Sequence, residues 1–275
     1  MNYADAHFAI GKNHQVCEDY ALAGTSEGLR YAIVSDGCSS SPDTDFGSRL
    51  MARAASEEFS RWGDAFNPER CLWQADTWRK GLGLDPYSLD ATLLMAFESE
   101  ATVRVLVTGD GVVAARVRGT AEYHYWAVRY PSGAPGYLSY RLDPNRMAVF
   151  LEQTKGIRQI EHSYGPRDEV RCINVPLQAW GFAWALQLDP AIYDLVAVMS
   201  DGAESFQRRE GTRLTSVPLT EVLDQVMAVK SLTGEFMTRR VNRFLTKFCA
   251  KNGWQHYDDF AVAALALDPP GVTNG

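Results

Sequence analysis

Several aspartates in this 275-residue chain share a context that could do chemistry. The apolar run at residues 31–35 (YAIVS) ends in Asp36-Gly37, and the run at 195–200 (LVAVMS) ends in Asp201-Gly202. A third run, VRVLVTG, leads into Asp110-Gly111, and Asp258-Asp259 directly precedes FAVAALAL. An aspartate at the end of a buried strand is costly unless its charge is compensated. Such ends on neighbouring strands would gather carboxylates with no lysine or arginine among them. A divalent cation is the simplest neutraliser. Oxygen-only ligands without Cys or His point to a hard ion, Mg²⁺ or Mn²⁺, rather than zinc. The glycine after Asp36 has its own reason, because without a Cβ its carbonyl can approach a metal closely. Asp-Gly is also the commonest hairpin turn signal, and Gly109-Asp110-Gly111 fits a plain turn between two apolar strands. Asp258-Asp259 alone reads as a solvated loop pair. Turn chemistry does not account for the conjunction, two near-copies of an apolar strand followed by Ser-Asp-Gly plus a strand-preceding Asp-Asp.

Those carboxylates need strands to hold them. Buried strands are expected at 31–35 and 195–199, and residues 260–267 close the chain as another. Residues 92–96, 103–107 and 112–117 read as consecutive antiparallel strands. Residues 123–130 and 136–141 read as strands because their aromatics crowd a short span. Residues 44–61 are expected to be helical, with Phe46, Leu50, Ala54 and Phe59 near one face and Asp43 as N-cap. The Asp43-x-Asp45 pair reads as that helix's N-terminus, since the other positions of a calcium loop do not follow. Helices are also expected at 219–228 and 235–252. Strands clustered together, with helices segregated from them, argue for an α+β fold with antiparallel sheets rather than a βαβ repeat. No repeat or linker divides the chain, so one domain is expected over residues 1–268, followed by a disordered tail at 269–275.

Composition narrows the function classes. Apolar residues make up 46% and charged residues 22%, the balance of a globular protein. Lys and Arg number 27 against 34 Asp and Glu, for a net charge of −7 and a pI near 5.3. An acidic surface repels phosphate backbones and anionic headgroups, which argues against nucleic-acid and membrane partners. The richest apolar run, residues 179–186 (AWGFAWAL), is far too short to span a bilayer. The start, MNYADAHFAI, lacks a basic segment followed by an apolar one, so a cytoplasmic location is expected. Five scattered cysteines without a C-x-x-C pair argue against a disulfide framework or a structural zinc site.

Six stretches, taken in order, resemble the PPM-type, or type 2C, metal-dependent serine/threonine protein phosphatases. They are GKNHQVCEDYA (11–21), VSDGCSSS (34–41), LDATLLMAF (89–97), TGDGVVAARV (108–117), VMSDGAESF (198–206) and YDDFAVAAL (257–265). The resemblance implies two antiparallel β-sheets in a sandwich flanked by helices on both outer faces, in α-β-β-α layers. It also implies roles. Asp36 would bridge two metal ions, Mg²⁺ or Mn²⁺, with the Gly37 carbonyl on one of them. Asp201 and Asp258 would bind the other; counting back from Val262 puts Asp258, not Asp259, at the family's ligand position. Glu18 and Asp19 would hold metal-bound waters, and Asp110 would serve a weaker third metal. The implied reaction is phosphomonoester hydrolysis by a hydroxide that the metal pair activates. No covalent nucleophile is needed, which fits the absence of G-x-S-x-G. The implied partners are a protein phosphorylated on serine or threonine and a cognate kinase in the same pathway. Cys17 and Cys38 flank the site and read as small packing residues.

The chain departs from the family in places. Many members carry an arginine that holds the substrate phosphate five residues before the Asp of the Glu-Asp pair; here that position is His14. Histidine offers less charge and no bidentate grip, so His14 either replaces the arginine or has no role. Ser205 stands where the family often has another acidic third-metal ligand, with Glu204 one residue earlier. Gly111 replaces the common serine after Asp110, which favours the plain turn there. Trp126, Trp180 and Trp184 fall in the interval of the family's variable flap and read as core rings. A metal-dependent serine/threonine phosphatase is the leading expectation. Two others stand beside it: a catalytically weak relative that binds a partner through its surface, and a phosphatase of small metabolites.

Overall fold

The computed structural model describes residues 3–100, 102–164, 170–177 and 183–268; Trp180 and the tail expected at 269–275 lie outside them. The chain begins with strands β1 (Ala4–Ala9), β2 (Tyr20–Ser26) and β3 (Leu29–Ser35), then helices α1 (Thr44–Trp62) and α2 (Pro68–Leu82). Strands β4 (Leu93–Ser99), β5 (Thr102–Thr108), β6 (Gly111–Val117) and β7 (Tyr123–Arg129) follow, with helix α3 (Pro144–Thr154) after them. Next come β8 (Ile157–Ser163), β9 (Arg171–Pro176), β10 (Trp184–Leu188), β11 (Tyr193–Met199), β12 (Phe206–Glu210) and β13 (Arg213–Ser216). Helices α4 (Leu219–Val226) and α5 (Phe236–Arg243) precede β14 (Trp254–His256) and β15 (Phe260–Ala266).

Two large antiparallel sheets form, in the orders β1-β15-β11-β6-β7-β8-β9 and β10-β5-β4-β3-β2. Their inner faces meet through small and β-branched side chains. Ala32, Val34, Ala96 and Val105 on one sheet pack against Val113, Val196, Ala263 and Leu265 on the other. The alternate residues point outward. Ile33, Met95 and Phe97 lie under α1 and α2, while Val112, Ala197 and Val262 lie under α4 and α5. Each central strand is therefore covered on both faces, which is why it reads as an unbroken apolar run. The α-β-β-α layering matches the expectation, and a third small sheet, β13-β12-β14, adds to it.

Several local expectations need correction. Residues 136–141 are not a strand: a 3₁₀ turn at Leu138–Leu142 leads into α3, whose N-cap Asp143 accepts from the amides of Asn145 and Arg146. The aromatics there make a small core of their own, with Tyr140 packed on Phe150 and Phe150 on Tyr130. Strands β5 and β6 are not hairpin partners. They belong to different sheets, so Gly109-Asp110-Gly111 is a crossover from one layer to the other. Asp43 precedes α1 as expected but has left-handed φ (54°) and makes no side-chain cap; its carbonyl takes the amides of Phe46 and Gly47. The helix expected at 235–252 continues past α5 through a wider π turn (Phe244–Cys249) to Asn252. Trp126 is a core ring between the sheets, and Trp184 packs beside it half-buried. No helix among the described residues is long and apolar enough to cross a membrane.

Candidate active site

The C-terminal ends of β3 and β11, the crossover between β5 and β6, and the residues leading into β15 converge on one cavity of about 160 Å³. Asp36, Asp110, Asp201 and Asp258 all line it. Among the described residues no lysine or arginine does. The two Ser-Asp-Gly units are built in by their serines. Ser35 donates to the Thr92 carbonyl (2.6 Å), while the Thr92 hydroxyl accepts from the Asp36 amide (3.0 Å). Ser200 donates to Asp19 Oδ2 (2.6 Å) and accepts from the Ala261 amide (3.0 Å). Each serine thus ties the strand end that carries a carboxylate to its neighbour. Gly37 is required by packing, since a Cβ there would lie 2.7 Å from the Thr44 carbonyl and 3.0 Å from that of Glu18. Gly111 has φ 132° and would drive a Cβ to 2.7 Å from the Met199 carbonyl, so the serine common in the family does not fit here.

The electrostatics are those of crowded acids. Burial, then repulsion from Asp19, Asp201 and Asp110, holds the Asp36 carboxyl well above the usual range. Burial does the same to the fully buried Asp19, and it raises Asp201. Asp110 is pushed up to about 8, by burial first and the Asp201 charge second. Asp36 lies within hydrogen-bonding reach of both Asp19 and Asp201. Two carboxylates stay so close only with a proton or a cation between them. Asp19 Oδ1 is buried without a hydrogen-bond partner, an unmet acceptor beside the cavity. Burial also raises Glu18, although the Thr44 hydroxyl donates to it (3.1 Å).

The Asp258-Asp259 pair divides its labour. Asp259 is buried, and its two oxygens accept from the amides of Gly11 (2.7 Å) and Glu18 (2.6 Å), so it pins the residues around Glu18 to the start of β15. Asp258 faces the cavity with its side chain about half exposed. His14 also lines the cavity, but both ring nitrogens are turned toward acids. Nε2 lies 3.0 Å from Asp258 Oδ1, and Nδ1 lies 3.4 Å from both Glu18 and Asp259. His14, Glu18 and Asp259 offer donor atoms within 4.8 Å of one another, close enough to share a cation. Glu204 does not line the cavity; Arg129 draws it away, along with Glu161. Ser205 instead accepts from the Asp258 amide (3.2 Å).

Cys17 is half-buried, its thiol donates to the Asp19 carbonyl (3.5 Å), and burial pushes its pKa up to about 12. Cys38, by contrast, lines the cavity. Burial would raise it, but hydrogen bonds from Ser40, Tyr137 and Ser41 outweigh that and lower it.

Sequence reasoning missed two residues. Asp90 is buried, and its carboxylate accepts from Ser139 (2.6 Å), Ser41 (2.9 Å) and Arg146 (2.7 Å), while its carbonyl accepts from the Cys38 amide (2.8 Å). An acid inside the apolar stretch LDATLLMAF was the available signal. Tyr137 forms a wall of the cavity beside Gly133 and Pro135. It was hidden because its segment reads as a strand.

Comparison with known proteins fits this geometry. The family model described as Protein phosphatase 2C matches residues 10–129. A bacterial serine phosphatase is similar in structure at 9% identity and a TM-score of 0.55, over 99% of this chain and 100% of that one. The serine/threonine phosphatase Stp1 from Staphylococcus aureus is similar at 10% identity and 0.54, over 98% and 96%. The PP2C phosphatase domain of SpoIIE from Bacillus subtilis, solved with a fragment of its regulatory domain, is similar at 12% identity and 0.51, over 98% of this chain and 64% of that one. No curated protein matches the sequence. Residues 10–129 are thus similar to the Protein phosphatase 2C family, and nearly the whole chain shares the fold of these phosphatases.

Proposed function

We propose that the chain is a metal-dependent phosphoester hydrolase that acts as a serine/threonine protein phosphatase. The observation that carries this reading is the meeting of Asp36, Asp110, Asp201 and Asp258 around one cavity with no basic side chain of Lys or Arg type on its wall. Carboxylates lining one cavity, with the orphaned Asp19 Oδ1 nearby, fit hard divalent cations. Asp36, the Gly37 carbonyl, Asp201 and Asp258 would hold two Mg²⁺ or Mn²⁺ ions, and Asp110 a weaker third. When bound, such ions supply positive charge to the phosphoryl oxygens and lower the pKa of the attacking water, giving hydroxide near neutral pH.

The remaining work falls to the chain. Asp19 presents Oδ1 as a proton acceptor for water entering the cavity, because Ser200 fixes its other oxygen. Glu18 is steadied for the same task by Thr44. Gly133, Pro135 and Tyr137 bound the space above the acids and limit how much of a substrate enters. His14 lies within the cavity wall, where a substrate phosphate is expected, yet its contacts support a role in orienting Asp258 through Nε2. That same observation favours a second reading, a catalytically weak relative, because no guanidinium grips the phosphate. The proposed substrate is a protein phosphorylated on serine or threonine, which requires a protein kinase to supply it.

The test is phosphate release from phosphoserine and phosphothreonine peptides with Mn²⁺ present, with p-nitrophenyl phosphate as comparator. Turnover of the peptides is expected. Hydrolysis of the small ester alone would point to a metabolite phosphatase, and hydrolysis of neither to the weak relative.

A further inference from the structure

We infer that the chain carries a second anion site, remote from the carboxylate cavity, that takes a small molecule bearing two adjacent phosphoryl groups. It lies where the loop after α4 meets the first turns of α5. Residues 230–243 hold four basic side chains and one acidic one, in a chain of net charge −7. All four, Lys230, Arg239, Arg240 and Arg243, line a cavity of about 300 Å³ together with the Ser231 hydroxyl. No carboxylate lines it among the described residues.

Several arginines elsewhere in the fold are neutralised by acids, Arg116 by Asp194, Arg129 by Glu161 and Arg146 by Asp90, while Arg104 and Arg118 donate to carbonyls. The four cations here make no ion pair among the described residues. Neutral acceptors hold two of them. Arg239 Nη2 donates to the Thr233 carbonyl (2.6 Å), and Arg240 donates to the Gln225 carbonyl and side chain. Such bonds fix a guanidinium without cancelling its charge, so the group is oriented before any ligand arrives. Burial first, and the neighbouring Arg243 second, lower the Arg240 pKa.

The site is separate from the catalytic cavity. Strand β6 starts beside Asp110, and near its other end Arg116 donates to the Val229 carbonyl (2.6 Å), a residue that lines the cationic cavity. At about 3.3 Å per strand residue, the two cavities stand roughly 15–20 Å apart. The charge selects the ligand. A single phosphate monoester brings about −1.5 to −2 and leaves half of four positive charges unmet, whereas two linked phosphoryl groups come close to balance. Guanidinium forks suit phosphoryl oxygens, and about 300 Å³ is the lower range of a small-molecule pocket.

The experiment is calorimetric titration of the full chain with pyrophosphate, without added divalent cation, so that the carboxylate cavity repels the anion. Inorganic phosphate and sulfate at matched ionic strength are run alongside. One saturable site per chain is expected, about 10-fold tighter for pyrophosphate than for phosphate. Arg243→Gln and Lys230→Gln should each weaken it about 10-fold, the worth of a charged hydrogen bond. Asp201→Asn should leave it unchanged. Both cationic positions are exposed, so folding is checked simply by circular dichroism. Absence of saturable binding, equal binding of sulfate, retention of affinity in Arg243→Gln, or loss in Asp201→Asn would each overturn the assignment.

Discussion

The Ser139 hydroxyl donates to Asp90 Oδ1 at 2.6 Å, joining the turn that follows Tyr137 to the residues that lead into β4. With Arg146 and Ser41 on the other carboxylate oxygen, Asp90 ties the segment bounding the cavity to the loop after Gly37. Removing the acid leaves a guanidinium and two hydroxyls without their shared acceptor. Asp90→Ala should cost about 3–5 kcal/mol, as for breaking a buried pair, and Ser139→Ala about 1 kcal/mol. Urea unfolding measures both, and limited proteolysis within residues 131–146 should quicken in Asp90→Ala. A loss below 1 kcal/mol with unchanged proteolysis would mean that the segment is held some other way.

Asp36→Asn should stabilise the metal-free protein while destroying its response to metal. Burial and acidic neighbours disfavour the charged carboxylate, so a neutral amide of the same shape removes that penalty. A melting temperature higher by a few degrees is expected, since about 1 kcal/mol moves a chain of this size by roughly 2–4 °C. Thermal melts with and without Mn²⁺ check this. A variant less stable than the parent in chelator would contradict the crowding argument.

The pH dependence follows from the same groups. Asp19, Asp36, Asp110 and Asp201 all bind protons more tightly folded than unfolded, with Asp110 titrating at about 8. Where the native state holds more protons, stability falls as pH rises. Metal-free stability should therefore decline from about pH 4 toward pH 8. Mn²⁺ competes with those protons, so its stabilisation should grow over the same range. Chemical denaturation at pH 5.5 and 8 compares the two, and a metal-free protein more stable at pH 8 would reverse the sign.

Asp258 and Asp259 should separate cleanly. Asp259→Ala strips acceptors from two amides, at about 1–3 kcal/mol for each buried group left unpaired. Asp258→Asn should leave unfolding within about 1 kcal/mol of the parent, as expected for a half-exposed side chain, and abolish the Mn²⁺ effect on turnover. Equal destabilisation by the two would undo the division of roles.

His14→Ala distinguishes its two roles. If the imidazole orients Asp258, the Mn²⁺ concentration for half-maximal activity should rise about 5- to 10-fold with KM for substrate little changed, in line with the loss of one charge-assisted hydrogen bond. A raised KM at saturating Mn²⁺ would return His14 to the phosphate.

The buried strands and the acids at their ends were legible because a strand covered on both faces leaves a continuous apolar run, and an acid that interrupts it stands out. Strands β1, β2 and β8 were not legible. Their half-buried residues mix polar and apolar types without strict alternation, as in ADAHFA and IRQIEHS. Helix α2 carried an Asn67 cap, Pro68 at its first turn and Gly83 after its end, signals overlooked beside stronger ones. The crossover at Asp110 shares its chemistry with a hairpin, and only pairing over long range separates the two. The bracing role of Asp259, and Asp90 altogether, escaped because their partners lie 241–248 and 49–56 residues away in sequence.

The most direct test of the account is phosphoserine-peptide hydrolysis by the parent and Asp36→Asn, each first stripped with EDTA and then supplied with Mn²⁺. The account predicts no turnover in chelator for either, full recovery on Mn²⁺ for the parent, and none for Asp36→Asn. Hydrolysis that persists in excess EDTA, or that Asp36→Asn recovers with Mn²⁺, would contradict it.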